Sequence, residues 1–554
     1  MKRDVFIIIF FFAIILFLYR DLIQTFYQQD EWHTLGTLRA EGISYIFSGP
    51  SLTGLLLLEN RPLARLTNLV LFGQFPLNII PLFLFSTFFH TINSYLLYKI
   101  AYRFIRNHFF SALVVLFFIF NATSKQAVLW FGASTGTLPA VSFILLSILF
   151  FLNFLHSKKT FYLIGSVITL SISLGFKENA LFLFLLFPFV EFVYFISKKN
   201  KVKVSRFSFF FLFLGILIFV LKFLSLFFTV TSNTRYIGSE VSGGLLRLVW
   251  AAITYPFESL SQIIIPGEII FPLSRKVTEI IFPYFEPTGY AGIISEQIIV
   301  EFISVLAASL FILPILFFLF SRKEKWPIIF SFPFYLLAFI PFIVLIKPNG
   351  YLESRYYYLP AAPLVLIIGM GFQGFFGGLK RITNNIKLSL PIYSVTLFLI
   401  GFYLIMNAGF IQDQISFLKE RGAIQRHILS EILVKHPIIA QREVIYIESD
   451  HSFIVPNNPL PFQNGIGYTL LVVYAYKNNT DRLNPFLLDN FFWKLGNQGY
   501  FEKNGQGFGF FTDLTKLKEE IANEKFKKEN ITAFRYNSEK NEIYDITREI
   551  QKKL

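Results

Sequence analysis

The sequence predicts an all-α polytopic membrane bundle followed by a small α/β domain. Of the 554 residues, 54% are hydrophobic and only 15% are charged, and the mean hydropathy is +0.56. A soluble protein of this length does not carry so much apolar sequence. Apolar runs recur up to residue 406, and the longest can cross the ~30 Å hydrocarbon core of a bilayer.

Hydropathy predicts about eleven membrane-spanning helices in residues 1–406. The first run follows Met1-Lys2-Arg3, but no small-residue cleavage site follows it, so we expect a retained helix and not a signal peptide. The predicted spans are 5–19, 77–99, 109–120, 138–155, 161–174, 181–197, 207–229, 298–320, 327–346, 356–372 and 389–406.

Almost all of the net charge of +15 comes from residues 1–406, the predicted membrane part. Residues 1–406 hold 31 Lys and Arg against 17 Asp and Glu, whereas residues 407–554 hold 19 against 18. Loops rich in Lys and Arg face the cytoplasm, so the cations give no reason to expect nucleic-acid binding. The cations occur in alternate loops, at Lys2-Arg3, Arg103 and Arg106, Lys158-Lys159, Lys198–Lys203, Arg322-Lys323 and Lys380-Arg381.

This alternation predicts an integral membrane protein with a cytoplasmic N-terminus and an extracytoplasmic C-terminal domain. The frequent Phe, Ile, Lys and Asn are typical of an AT-rich bacterial genome, so we expect the bacterial cytoplasmic membrane. Two long loops, 20–76 and 230–297, then lie on the outer side. The second contains five prolines and is long enough to form a partly ordered substrate lid.

Residues 407–554 predict a small C-terminal domain. Residues 407–436 have helical periodicity, and Lys516–Lys528 indicates a charged helix. Glu443–Glu448 and Tyr468–Tyr476 indicate strands. The chain has no Cys, which excludes disulfides, thiolate catalysis and cysteine-bound metal centres.

Asp30-Glu31 opens the first outer loop, directly after the first span. One carboxylate of such a pair can take a proton from a hydroxyl while the other orients the hydroxyl or contacts a metal ion. A solvated pair of loop acids is the alternative interpretation. No cofactor is required by the sequence, although Asp30 and Glu31 leave a divalent cation possible.

Arg61 and Arg65 follow on the same predicted side, where they can grip a lipid phosphate or extend toward lipid headgroups. His90 and Asn93 lie within the second span. Polar groups there need partners, and we expect these two to hydrogen-bond neighbouring helices and not to bind a metal ion.

Two further charged motifs occur at predicted outer turns. Lys177-Glu178 lies in Gly175–Ala180, and its two charges can pair with each other or bind a phosphate and an acceptor. Glu353 and Arg355 lie in Leu352–Pro360, before a run of tyrosines that is typical of a membrane interface. They can complete a phosphate site.

The joint order of these motifs resembles the polytopic GT-C glycosyltransferases. Asp-Glu after span one is followed by Arg-Pro-Leu, Lys-Glu-Asn-Ala and Glu-Ser-Arg-Tyr-Tyr-Tyr-Leu-Pro, so that the resemblance covers roughly residues 1–375. The protein O-mannosyltransferase and tetratricopeptide-type transmembrane mannosyltransferase branch is the most similar. The Trp-Trp-Asp motif of oligosaccharyltransferases and tetratricopeptide repeats are both absent from the sequence.

The resemblance implies a polyprenyl-phosphate-linked sugar donor and transfer on the extracytoplasmic face, with inversion, to a protein, lipid or glycan acceptor. It implies Asp30 as the catalytic carboxylate with Glu31 beside it. Arg61, Lys177 and Arg355 become candidates for binding the donor phosphate. The competing interpretations are a transporter or flippase for lipid-linked saccharides and a membrane scaffold without enzymatic activity.

Overall fold

A computed structural model gives the fold. It describes residues 2–47, 61–197, 206–230, 244–284, 290–320, 326–342, 350–382, 386–450, 462, 466–478, 480–488, 498–523 and 525–554. The chain is mostly helical, and a five-stranded sheet lies near its C-terminus. The coarse fold class is confirmed: the described chain is mostly helical, several of its helices are apolar and long enough to span a membrane, and a small sheet lies near the C-terminus.

The helices before residue 436 are numbered in chain order. They are α1 (Lys2–Tyr19), α2 (Gln29–Glu41), α3 (Pro62–Asn68), α4 (Ile80–Ile105), α5 (His108–Ile119), α6 (Gln126–Leu129), α7 (Phe131–Ser157), α8 (Thr160–Phe176), α9 (Leu183–Ser197), α10 (Arg206–Val230), α11 (Gly244–Ile264), α12 (Gly267–Ile281), α13 (Tyr290–Phe320), α14 (Trp326–Ala338), α15 (Tyr358–Ile382) and α16 (Ile386–Lys435). Each of the eleven predicted apolar segments overlaps one of these helices in the described part of the chain, although several helices extend well beyond the predicted ends.

Seven described helices are long and apolar enough to cross a membrane, or eight if the bent pair formed by α5 and Ala122–Leu129 is one span. Three more apolar helices, at Thr160–Phe176, Arg206–Ile218 and Trp326–Phe342, have fewer than 18 residues within the searched part of the chain, although α10 continues to Val230. At ~1.5 Å per residue, the 17 residues of α8 extend only about 25 Å. The seven are Lys2–Gln24, Ile80–Ile105, Phe131–Ser157, Glu178–Ile196, Gly292–Leu310, Ser354–Gly378 and Pro391–Lys435.

Small and polar side chains join the membrane helices. Ser147 of α7 and Ser166 of α8 each donate to the other's backbone carbonyl, at 2.8 and 3.0 Å. Such pairs let two helix backbones approach closely where the hydrophobic effect does not drive association.

Helix α16 joins the membrane part to the C-terminal domain without a break. It runs for 50 residues, so the predicted boundary at residue 406 falls inside a helix. Hydropathy detects the end of the apolar stretch, whereas the backbone hydrogen bonds continue beyond it. Phe402 and Ile405 are still largely exposed, as expected of side chains that face lipid, and charged residues begin at Asp413.

The C-terminal sheet has the strand order β2-β3-β1-β4-β5, in which β1 pairs in parallel with β3 and β4 while the edge strands are antiparallel. Alternate side chains of β1 face opposite sides. Val444 packs with Leu517 on one face, and Ile445 belongs to the main core on the other. The elements are β1 (Arg442–Ser449), α17 (Ile466–Lys477), α18 (Asn484–Leu487), β2 (Gly499–Lys503), β3 (Gln506–Phe511), α19 (Leu514–Ala522), β4 (Ile531–Asn537), β5 (Glu542–Asp545) and α20 (Thr547–Lys553).

The strand predicted at Tyr468–Tyr476 is wrong, because this segment is helix α17. Every residue from Ile466 to Ala475 is buried. A helix that is buried on all sides shows no apolar stripe, so an apolar run of this length does not distinguish a helix from a strand.

The described part of the loop at 230–297 consists of packed helices, while residues 231–243 and 285–289 lie outside the described residues. Gln262 of α11 donates to the carbonyl of Gly350 at 3.0 Å and accepts from Tyr357 Oη at 2.5 Å. Helix α11 is thereby tied to the chain segment that carries Glu353 and Arg355.

The C-terminal domain also contacts α2, the helix that begins at the acidic pair. Tyr476 Oη of α17 donates to the carbonyl of Leu35 at 2.9 Å. Gly36 permits the close approach, because a Cβ there would lie 2.1 Å from Tyr468 Oη. The C-terminal domain therefore packs against α2, the helix that bears Asp30.

The bundle has two chemically different ends. At one, the start of α1 meets the end of α4 and the start of α5, with Arg3 2.9 Å from His108 Nε2 and Lys99 3.2 Å from Asp4. We call this the cationic end. The acidic pair and the other charged motifs lie at the opposite end, called here the acidic-pair end.

Candidate functional site

The acidic pair lies in the first turn of α2, and helix-start geometry separates its two carboxylates. Gln28 precedes the helix with an extended backbone, and its N–H donates to Glu31 Oε2 at 2.6 Å in a capping box. Glu31 is therefore turned back into the protein, whereas Asp30 is exposed.

Glu31 also binds the start of a second helix. The N–H of Gly132, in the first turn of α7, donates to Glu31 Oε1 at 2.8 Å. A Cβ at Gly132 would lie 3.3 Å from Glu31 Cγ, so the glycine leaves room for the carboxyl group. The side chain is completely buried, and burial raises the pKa of Glu31 to about 8. Both oxygens are thus engaged in fixing α2 against α7.

We expect Glu31→Gln to destabilise the protein by about 1–3 kcal/mol, because an amide group cannot accept from both backbone N–H groups. The melting temperature of the purified protein measures this loss of stability.

The stability of the wild-type protein should also fall as pH rises from about 4.5 to about 8, since the raised pKa of Glu31 means that the folded state holds the proton more tightly than the unfolded state. The glutamine variant should lose this pH dependence, and an unchanged profile would contradict the assignment.

Asp30 lies near enough to Arg355 for that charge to act on its side chain. Its carboxylate accepts no hydrogen bond within the described part of the chain, while Thr34 binds only its backbone carbonyl. Partial burial raises the pKa of Asp30, and the charge of Arg355 offsets part of that rise. Asp30 is therefore the member of the pair that solvent, a substrate hydroxyl or a divalent cation can reach.

Arg355 is held by aromatic rings and an acid. Its guanidinium lies 4.4 Å from the ring centre of Trp130 and 4.9 Å from that of Tyr356, and it forms an ion pair with Glu353. The backbone N–H of Arg355 donates to Gln126 Oε1 at 3.3 Å. A planar guanidinium that lies over the Trp130 ring and donates to Tyr356 Oη at 3.2 Å keeps its remaining N–H groups in a fixed orientation.

Lys177 is a buried cation between α8 and the following helix. Its ammonium group donates to Thr137 Oγ1 at 2.9 Å and lies 5.6 Å from the ring centre of Tyr356. Burial, together with the smaller effect of the nearby Arg61 charge, lowers the pKa of Lys177 to about 7. An anion bound nearby would restore its full charge.

Arg61 forms a bidentate ion pair with Glu178, with N–O distances of 2.8 and 2.7 Å. Close packing between α3 and α8 makes this possible, because a Cβ at Gly175 would lie 2.8 Å from the side chain of Leu63. Arg65 points elsewhere. It donates to the carbonyl of Tyr45 at 3.1 Å and lies over that ring.

His90 and Asn93 meet Tyr358 inside the bundle. The distances to Tyr358 Oη are 2.7 Å from His90 Nδ1 and 3.1 Å from Asn93 Nδ2. Asn93 also donates to the carbonyl of Leu138. These bonds connect α4 with α15 and α7, which is a helix-joining arrangement.

Sequence reasoning missed Trp130 and Thr137, and it treated Tyr356 only as an interface residue. Trp130 is 9% exposed, and its Nε1 has no hydrogen-bond partner in the described part of the structure. The polar residues Lys125 and Gln126, which interrupt the apolar sequence between α5 and α7, were the available signal.

The arrangement assembles a carboxylate, two cations and two aromatic rings from four separate stretches of the chain. Among the described residues, no group of three or more His, Asp or Glu side chains is arranged to hold a metal ion. Comparison of the chain with protein-family models gives no match, and comparison with curated proteins gives no significant match either. A functional assignment must therefore come from the chemistry of the site.

Proposed function

We propose that this chain is an integral membrane glycosyltransferase of the GT-C type that it resembles. It would move a sugar from a polyprenyl phosphate to an acceptor hydroxyl. The observation that carries the proposal is the convergence of three charged side chains at one end of the bundle: Lys177 and Arg355 share the Tyr356 ring, and Asp30 lies in the helix turn that Glu31 fixes next to Trp130 and Gly132. A reactive carboxylate beside cations suits a reaction in which a hydroxyl loses a proton and a phosphate leaves.

In this scheme the acceptor oxygen attacks the anomeric carbon as the bond from that carbon to the phosphate oxygen breaks. Asp30 takes the hydroxyl proton, and the polyprenyl phosphate leaves with the bonding electrons. A single displacement inverts the anomeric centre. Arg355 stabilises the charge that develops on the leaving phosphate, because its guanidinium is already oriented by Trp130 and Tyr356.

Lys177 supplies the second cation of the scheme. A phosphate beside it would favour the protonated ammonium, so donor binding and Lys177 protonation would reinforce each other. Glu353 and Glu178 pair with the two arginines in the absence of donor, and Glu353 would release Arg355 to the donor phosphate. Glu31 fixes the helix that carries Asp30.

The charge separation between the two ends predicts the orientation in the membrane. With the cationic end in the cytoplasm, a cysteine at Ser157 should resist impermeant thiol reagents in intact cells. A cysteine at Lys516 in the C-terminal domain should react. Both residues are exposed, and the chain has no native Cys. Labelling at Ser157 without labelling at Lys516 would reverse the proposed orientation.

Reconstituted vesicles distinguish the enzyme from the competing transporter or flippase. The purified protein is incubated with a polyprenyl-phosphate sugar labelled in the sugar and with protein, lipid and glycan fractions of the cell envelope. A transferase releases polyprenyl phosphate and moves the label to one fraction, which also identifies the acceptor class. Intact donor that appears in the opposite leaflet, without cleavage, would establish a flippase instead.

A further inference from the structure

A second polar site lies at the cationic end, far along the helices from the acidic pair. A cleft of about 460 Å³ opens between α4 and α7. Helix α4 contributes Lys99, Tyr102 and Arg103 to its wall, and α7 contributes Leu146, Leu149, Phe150 and Asn153. Neither the proposed reaction nor any residue of the candidate active site involves this cleft.

The lining residues follow helical spacing, so that one stripe of each helix faces the cleft. On α7 the apolar members come first, and Asn153 follows one turn nearer the end of the helix at Ser157. On α4, Lys99 and Arg103 occupy the last two turns before Ile105. The cleft is therefore apolar toward the middle of the bundle and cationic toward its end.

The two cations of the cleft wall are held by different partners. Arg103 donates to the Asn153 side chain and to the carbonyl of Leu152, the latter at 2.8 Å. Lys99 lies 3.2 Å from Asp4 and is 42% exposed, so its ammonium group remains accessible to a second anion. An arginine held by neutral acceptors keeps its charge available, whereas Asp4 competes with any anion that approaches Lys99.

We propose that this cleft binds the phosphodiester headgroup of an acidic phospholipid from the adjacent leaflet. Lys99 and Arg103 bind the phosphate, and an acyl chain packs on Leu146, Leu149 and Phe150. The order of apolar and cationic groups matches that of a phospholipid inserted from the side. A basic pocket between membrane helices is a recognised physical solution for headgroup binding.

Thermal unfolding of the purified full-length protein in nonionic detergent tests the proposal. Phosphatidylglycerol should raise the melting temperature in a saturable manner, and phosphatidylcholine should do so less at equal concentration. Glycerol phosphate carries a phosphate without acyl chains and should have little effect. Equal stabilisation by glycerol phosphate and phosphatidylglycerol would show a site for soluble anions and would overturn the lipid proposal.

Three variants identify the residues. Lys99→Gln should weaken phosphatidylglycerol binding about 10-fold, as expected for the loss of one charge-assisted hydrogen bond, while Lys99→Arg should retain binding. Asp4→Asn should strengthen binding about 2- to 5-fold, because it removes a competing ion pair. A purely structural role for the Lys99–Asp4 pair instead predicts losses in both variants.

Lys159→Gln is the matched control, since it makes the same charge change at the same end of the bundle but outside the cleft. Lys159 is exposed, and we expect its replacement to leave lipid binding unchanged. Similar weakening by Lys159→Gln and Lys99→Gln would attribute the effect to net charge, and the cleft would no longer be the binding site. All of these experiments measure lipid binding, so their outcome does not depend on whether the protein transfers sugars.

Discussion

Asp30→Asn should reduce sugar transfer by about 10²- to 10⁴-fold, the usual contribution of a general base. The substitution removes the proton acceptor but preserves the size of the side chain. Because the Asp30 carboxylate accepts no hydrogen bond in the described structure, folding should be little affected. Release of polyprenyl phosphate from a labelled donor measures the rate, and the melting temperature checks the fold.

Asp21→Asn provides the matched control, because it makes the same chemical change in the 3-10 segment just before α2. It should leave transfer unchanged. Turnover of Asp30→Asn near that of the wild type would remove Asp30 from the mechanism.

The pH dependence of transfer offers a second test of Asp30. Only the ionised carboxylate accepts a proton, so kcat/KM should fall as pH decreases through the raised pKa of Asp30. Arg355 lowers that pKa, so removal of its charge in Arg355→Ala should move the acidic limb to higher pH. A limb that stays in place would show that the two side chains do not interact electrostatically.

The acidic pair illustrates how much of the site could be predicted from the sequence. The pair's position after the first span was evident, but its two members were indistinguishable by composition. Their difference arises from helix geometry. The side chain of the third residue of a helix can fold back and accept a hydrogen bond from the backbone N–H of the residue that precedes the helix. Gln28 and Glu31 occupy these two positions, so the spacing could have indicated a capping role for Glu31.

The apolar segments were predictable because hydropathy alone specifies membrane helices. The contacts between side chains within the site could not be predicted, because they depend on packing between segments that are distant in the sequence. The bidentate contact of Arg61 with Glu178 requires the close approach of Leu63 to Gly175. Nothing in the local sequence around Trp130 indicates that Arg355 will lie over its ring.

Substitution of Arg355 should have the largest effect on donor binding. Its guanidinium lies close to the rings of both Trp130 and Tyr356, and in the proposed complex it exchanges Glu353 for the donor phosphate. Arg355→Ala should weaken binding of a polyprenyl phosphate by about 1.5–3 kcal/mol, the range for a hydrogen bond to a charged group. Competition against a fluorescent polyprenyl phosphate in detergent measures the change in affinity.

Two further substitutions separate charge from geometry. Arg355→Lys should recover only part of the affinity, because an ammonium group does not form the planar, bidentate contact of a guanidinium with phosphate. Glu353→Gln should preserve or increase affinity, since Glu353 competes with the phosphate for the same guanidinium. A loss in Glu353→Gln as large as that in Arg355→Ala would mean that the ion pair maintains local structure and does not serve as a phosphate site.

A cation at the opposite end of the bundle provides the final control for Arg355. Lys159→Ala also removes one positive charge, but it lies at the cationic end, where the proposed mechanism places no donor phosphate. Its affinity for polyprenyl phosphate should equal that of the wild type. Equal losses from Arg355→Ala and Lys159→Ala would indicate a general effect of charge on the membrane protein. In that case Arg355 could no longer be assigned to the donor phosphate, whereas the assignment of Asp30 would still depend on its own transfer assay.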